Sequence, residues 1–137
     1  MSTLSTIQRK YVIHDYLNVN ILGVDNRILN PVNDKFLEKV TQIIFQHLTE
    51  NEFSIEEFSR EVGISRAHLH RKLKALTGKS ASRYIMAYRL SLAREMIRNQ
   101  AGNISEIAYS VGFSSPIYFS RCFKEVYGYP PSKLLFN

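Results

Sequence analysis

The sequence predicts an all-α protein in which two helix-turn-helix subdomains are joined by a long connector helix, about seven helices in total. Three observations predict it. Capping residues and closing glycines bracket two short amphipathic helices between Asn103 and Gly128. The same design occurs upstream between Ser54 and Gly78, and such self-similarity at a fixed period means two copies of one supersecondary unit. Between the copies, the stretch from Ala81 to Asn99 carries an apolar band about 200° wide on a helical wheel, too wide for a helix with a single neighbour.

In chain order, residues 1–32 read as an N-terminal tail or linker. Met1 to Lys10 is polar and expected to be disordered. From Tyr11 to Asn30, Asn18, Asn20, Gly23, Asp25 and Asn26 interrupt every β-prone run, so an irregular or short-strand segment is expected. The first subdomain is assigned to residues 33–79. Its first helix should start near Asn33 as cap, with Asp34 favourable at the positive end of the helix dipole. Phe36, Leu37, Val40, Ile43, Ile44 and Leu48 then recur at helical spacing.

The helix pair follows. Ser54 and Glu57 can form a capping box, Gly63 breaks the helix, Ser65 caps the next, and Leu69, Leu73 and Leu76 form its inward stripe before Gly78. The connector, residues 80–100, is capped by Ser80 or Ser82. About 19 residues at 1.5 Å each give roughly 28 Å, close to the roughly 34 Å between successive major-groove faces of B-DNA.

The second subdomain, residues 101–137, repeats the pair. Asn103 and Glu106 form its capping box, Gly112 ends the first helix, Ser115 caps the second, and Pro116 suits the first turn. Phe119, Phe123 and Val126 form the inward stripe, and a short last helix lies around Ser132 to Phe136. Gly63 matches Gly112 at an offset of 49, and Leu69, Arg71, Leu73, Lys74 and Gly78 match Phe119, Arg121, Phe123, Lys124 and Gly128 at 50. One extra residue therefore sits in the second turn.

Composition narrows the function. The net charge is +6, but residues 60–98 hold ten Lys or Arg against two Glu, a local +8. A concentrated positive field attracts the phosphate backbone of nucleic acid. No window approaches 18 uncharged apolar residues, and the N-terminus lacks the apolar core of a signal peptide, so no membrane contact and a cytoplasmic location are expected. Cys122 is the single cysteine, so no internal disulfide can form.

With Leu69 or Phe119 pointing inward, the second helix of each pair turns a matched stripe outward: Ala67, His70, Arg71 and Lys74 in one, Ile117, Ser120, Arg121 and Lys124 in the other. Small residues permit close approach, and a guanidinium can bind guanine O6 and N7 at two points. Ala67, His70, Arg71, Ile117, Ser120 and Arg121 are thus the candidate base contacts. Lys72, Lys74 and Lys124 suit phosphates. Ser65 with Arg66, Lys79 with Ser80, and Ser114 with Ser115 lie at helix starts, where backbone N–H groups bind phosphate. Arg89 is counted among the phosphate contacts, although it and Arg94 could equally hydrogen-bond between the bundles.

Enzyme signals fail. Gly78-Lys79-Ser80 matches the end of a P-loop, but Leu73 stands where that loop needs glycine and no strand precedes it. His68 and His70 are two apart on a helix and cannot share a metal. Cys122 lies beside the packed stripe, as a small core residue does. No cofactor and no metal are expected.

These residues resemble the DNA-binding domain of the AraC/XylS family of bacterial transcription regulators. The likeness covers about residues 35–135 and is carried mainly by Gly112-Phe113, Tyr118-Phe119-Ser120-Arg121, Phe123-Lys124, Gly128 and Pro130-Pro131. Arg89-Leu90 with Ala93 fits the connector pattern, and Ser65 through Gly78 the first helix-turn-helix. The resemblance implies seven helices, transcriptional activation with RNA polymerase as a partner, and bases facing Ala67, His70 and Arg71 in one unit and Pro116, Ile117 and Arg121 in the other. Two departures stand out: Pro116 and Ile117 replace polar base-reading residues of some members, and Ser59 stands where alanine is usual.

The wording from Asn30 to Leu76 is similar to the output domain of hybrid two-component regulators, which implies an upstream receiver or sensor with residues 1–32 as linker. Two rival readings predict other features. A helical protein-interaction module predicts apolar outward stripes, which only Ile117 and Ala67 supply. A DNA-repair methyltransferase needs its cysteine in an exposed loop with His and Glu partners.

Overall fold

The computed structural model describes residues 31–50 and 52–136, so the expectations for residues 1–30 lie outside the described residues. Six α-helices and a 3-10 helix follow one another, with no strand among the described residues: α1 (Pro31–Gln46), α2 (Ile55–Val62), α3 (Arg66–Thr77), α4 (Ala81–Arg98), α5 (Ile104–Ser110), α6 (Pro116–Tyr127) and the 3-10 helix η1 (Pro131–Phe136). No described helix is long and apolar enough to cross a membrane.

Local signals set most boundaries. Ser54, Ser65, Ser80, Asn103 and Ser115 each accept a backbone N–H from the residue three positions on, and each has extended φ and ψ. Gly63, Gly78 and Gly128 close α2, α3 and α6 in the left-handed region, where a Cβ would be strained.

Three boundary details differ from expectation. Helix α1 opens at Pro31, where the missing N–H costs nothing, and Asn33 lies inside its first turn instead of capping it. Asn103 and Glu106 form both halves of a capping box, whereas the Glu57 carboxylate accepts from the Ser54 hydroxyl at 3.3 Å. The entry to α2 is set by the Ser54 cap together with Phe53, which stacks on His47 and meets Phe58 at 5.7 Å in a hydrophobic staple. Helix α5 is closed by Val111, with Gly112 one residue beyond at φ +96°.

Packing follows the repeat with different materials. In the first unit α1 lies on α2 and α2 on α3, around buried Leu37, Val40, Ile44, Leu48, Phe58, Leu69 and Leu73. Lys39 reaches across to donate to the Val62 carbonyl at the end of α2, and Ser59 is accommodated by donating its hydroxyl to the Glu56 carbonyl. The second unit is aromatic: Phe113 meets Phe119 edge-on at 5.2 Å, Phe119 meets Phe123 at 5.8 Å, and Phe123 meets Tyr127 at 4.7 Å.

Val126, expected on the inward stripe, is 54% exposed. Tyr127 takes that place, because α6 meets α4 and η1 on the Tyr127 side: Arg94 lies over its ring at 4.7 Å and donates Nε–H to the Tyr129 hydroxyl.

The connector α4 touches α3 on one side and α5, α6 and η1 on the other. Its buried set, including Tyr84, Tyr88, Leu90, Leu92, Ala93 and Ile97, runs around most of its circumference. Burying a Leu or Ile side chain contributes about 1.5–3 kcal/mol, so α4 holds both units to itself.

Candidate nucleic-acid interface

The helices that would read bases are α3 and α6. Both have 12 residues, both start at a serine cap and both end at a left-handed glycine. Leu69 and Leu73 anchor α3, and Phe119, Cys122 and Phe123 anchor α6. The inward side of each helix is thereby fixed, which turns the opposite stripe to solvent.

In α3 that stripe is Ala67, His70, Arg71 and Lys74, all exposed. A groove of about 620 Å³ runs along it, lined by Arg66, Ala67, His70 and Arg71 from α3 and by Ser80 and Ser82 from the start of α4. Ser82, which the sequence offers only as a cap, joins the groove. The signal was its position in the first turn of α4, beside the Ser80 cap. Arg66 pairs with Glu56 at 3.3 Å while both stay largely exposed, so this bond is cheap to exchange for a phosphate.

In α6 the stripe is Ile117, Ser120, Arg121 and Lys124. Ile117 is 77% exposed, Arg121 and Lys124 are exposed, and Pro116 and Ser120 are partly covered. An apolar side chain this open packs little against the described residues; it suits contact with a thymine methyl. Cys122 is buried within the helix, unlike the exposed loop cysteine a repair methyltransferase would need.

The expected phosphate contacts divide. Ser65, Ser80 and Ser115 spend their hydroxyls on caps, accepting from His68, Arg83 and Tyr118, while Ser114 is exposed. Lys74 donates to the Gly78 carbonyl at the surface. Lys79 is partly covered, and burial lowers its ammonium pKa. Lys72 sits over the Phe36 ring at 4.3 Å, which gives it a packing role against α1.

Arg89 does not belong to this face. It is 7% exposed, and its guanidinium donates to four backbone carbonyls: Leu48 and Val111 through Nη1, His47 and Glu50 through Nη2. Burial lowers its pKa, against which the Glu50 charge acts. The phosphate role expected for Arg89 is therefore corrected to a structural one: its donors already point at acceptors inside the protein. The described residues contain no group of three or more His, Cys, Asp or Glu that could hold a metal.

A duplicated helix-turn-helix with exposed arginines at matching places defines a DNA-binding protein of the transcription-regulator class. The pattern described as "Helix-turn-helix domain" matches residues 58–135. The chain superposes on an AraC-type DNA-binding transcriptional regulator from Chromobacterium violaceum with a TM-score of 0.69, at 25% identity over 78% of this chain and 95% of that one. It likewise matches the C-terminal domain of AraT, a response regulator from Geobacillus stearothermophilus, with a TM-score of 0.65, at 26% identity over 80% of this chain and 87% of that one. Among curated sequences, the transcriptional activator RhrA of Rhizobium meliloti is 38% identical over 127 residues, which cover 90% of this chain and 40% of the relative. This chain belongs to the AraC-type family of helix-turn-helix DNA-binding domains of transcription regulators. It spans less than half the length of the curated relatives it matches.

Proposed function

We propose that the chain binds duplex DNA sequence-specifically, with α3 and α6 entering two adjacent major-groove segments on one side of the helix, and that it acts as a transcriptional activator. The observation that carries the reading is the paired placement of Arg71 and Arg121, exposed at corresponding positions of two helices with the same caps and length. Ala67, His70, Pro116, Ile117 and Ser120 are the neighbouring base contacts. Ser65, Arg66, Lys74, Lys79, Ser80, Ser114, Ser115 and Lys124 are the phosphate contacts. The +8 segment from 60 to 98 supplies the attraction to the backbone.

An activator of this kind works by recruiting RNA polymerase to cytoplasmic DNA. The likeness to the C-terminal domain of a response regulator supports an upstream receiver or sensor in the whole protein. Selection from a random duplex pool tests the core of this reading. The expected product is a two-box site with box centres about one helical turn, 10–10.5 base pairs, apart. Enrichment of a single box, or of nothing, overturns it.

A further inference from the structure

The hydrogen bonds of Arg89 join two parts of the molecule that belong to different subdomains. Leu48, His47 and Glu50 belong to the tail after α1, immediately before α2. Val111 is the residue that closes α5, immediately before the turn into α6. The last carbonyls of a helix lack partners within it and carry its partial negative charge. Here the carbonyls of the turn after α1 and of the residue that closes α5, from different subdomains, converge on one cation borne by the connector. Arg89 is 41 residues from Leu48 and 22 from Val111.

Gly112 completes the junction. A Cβ built on it would overlap the Arg89 guanidinium and the Leu48 carbonyl oxygen. The turn of the second helix-turn-helix is thus seated directly on Arg89 and on the end of α1. Contacts between apolar side chains on α4 can slide, whereas a planar fork satisfying four carbonyls fixes both distance and angle.

We propose that Arg89, seated against Gly112, is a positioning residue that sets the rotation and distance between α3 and α6, and so determines which spacing of the two DNA boxes the protein accepts. This rests on the reading that both helices engage one duplex. One base pair of displacement turns a box by about 34–36° around the axis, so two rigidly held helices cannot follow it. Two loosely held helices can. Arg89 would then contribute to specificity without touching DNA.

The test compares the protein with Arg89→Lys, which keeps the charge and loses the fork, and with Arg89→Met. Two readouts are used. The first is competition between the selected two-box duplex and duplexes with the boxes moved by one base pair. The parent should disfavour the moved boxes by about tenfold or more, since the gain from joining two sites is lost when geometry forbids both. Arg89→Lys should keep its affinity for a single box and bind correct and shifted spacings within about threefold of each other.

The second readout needs no DNA: spin labels at Ala75→Cys and Glu125→Cys, exposed positions on α3 and α6, in a Cys122→Ser background. The parent should give one narrow distance distribution, broadened by Arg89→Lys. If Arg89→Met does not fold, Arg89→Lys decides alone. A variant with unchanged spacing preference and an equally narrow distribution overturns the proposal. A parent that binds no duplex removes the DNA reading, and the label distances still judge the lock.

Discussion

His47, on the tail after α1, is ion-paired through Nε2 to the Glu61 carboxylate of α2, while its Nδ1 meets Glu50. The ring lies flat on Phe53, 4.1 Å between centroids. A neutral imidazole has one N–H, and two carboxylates call for two, so the arrangement favours the imidazolium. Burial pushes the pKa down, but the Glu50 hydrogen bond and the Glu61 and Glu50 charges outweigh it and raise it above 6.5. The sign follows: a folded value above the unfolded one contributes stability that is full below the unfolded pKa and lost as pH rises through the folded one. Urea midpoints should therefore fall as pH rises from the ordinary histidine value through the raised one, and His47→Gln should remove much of that slope. Equal slopes would mean that the pair contributes nothing.

Arg71→Ala and Arg121→Ala should each weaken binding to the selected duplex by about 1–3 kcal/mol and relax base preference at one position. Both side chains are exposed, so helical circular dichroism should not change. Fluorescence anisotropy gives the affinities, and a wild-type value for either variant removes that residue from the interface.

Binding should weaken steeply with salt, because each neutralised phosphate releases counterions. Arg66→Ala and Lys124→Ala should each reduce the slope of log K against log salt by about one. Lys72→Ala, whose ammonium lies over Phe36, should alter stability more than the slope. A flat salt response would point to a protein partner.

Gly63 and Gly112 correspond in the repeat but should respond differently to alanine. Gly63 has φ +91° with open space where a Cβ would go, so Gly63→Ala should cost only backbone strain, about 1–2 kcal/mol. Gly112→Ala must also displace Arg89 or the Leu48 carbonyl, and should cost clearly more in thermal melts. Equal costs would show that the junction yields easily.

The sequence by itself determined where most helices of both subdomains begin and end, the start of α1 and the end of α5 excepted. A cap such as Ser65 meets a partner three residues away, His68, and a left-handed glycine such as Gly78 acts on its own φ; both are local, hence readable in a single chain. The repeat made α3 and α6 legible as equivalent helices, and the inward Leu69 and Phe119 oriented their stripes. Only the tertiary structure decided what Arg89, Lys72 and Val126 do. The Arg89 acceptors lie 22 to 42 residues away, Lys72 finds Phe36 on α1, and Val126 yields to Tyr127 because of where η1 and Arg94 pack. A helical wheel gives the direction of a side chain, whereas the partner it meets depends on how distant elements come together.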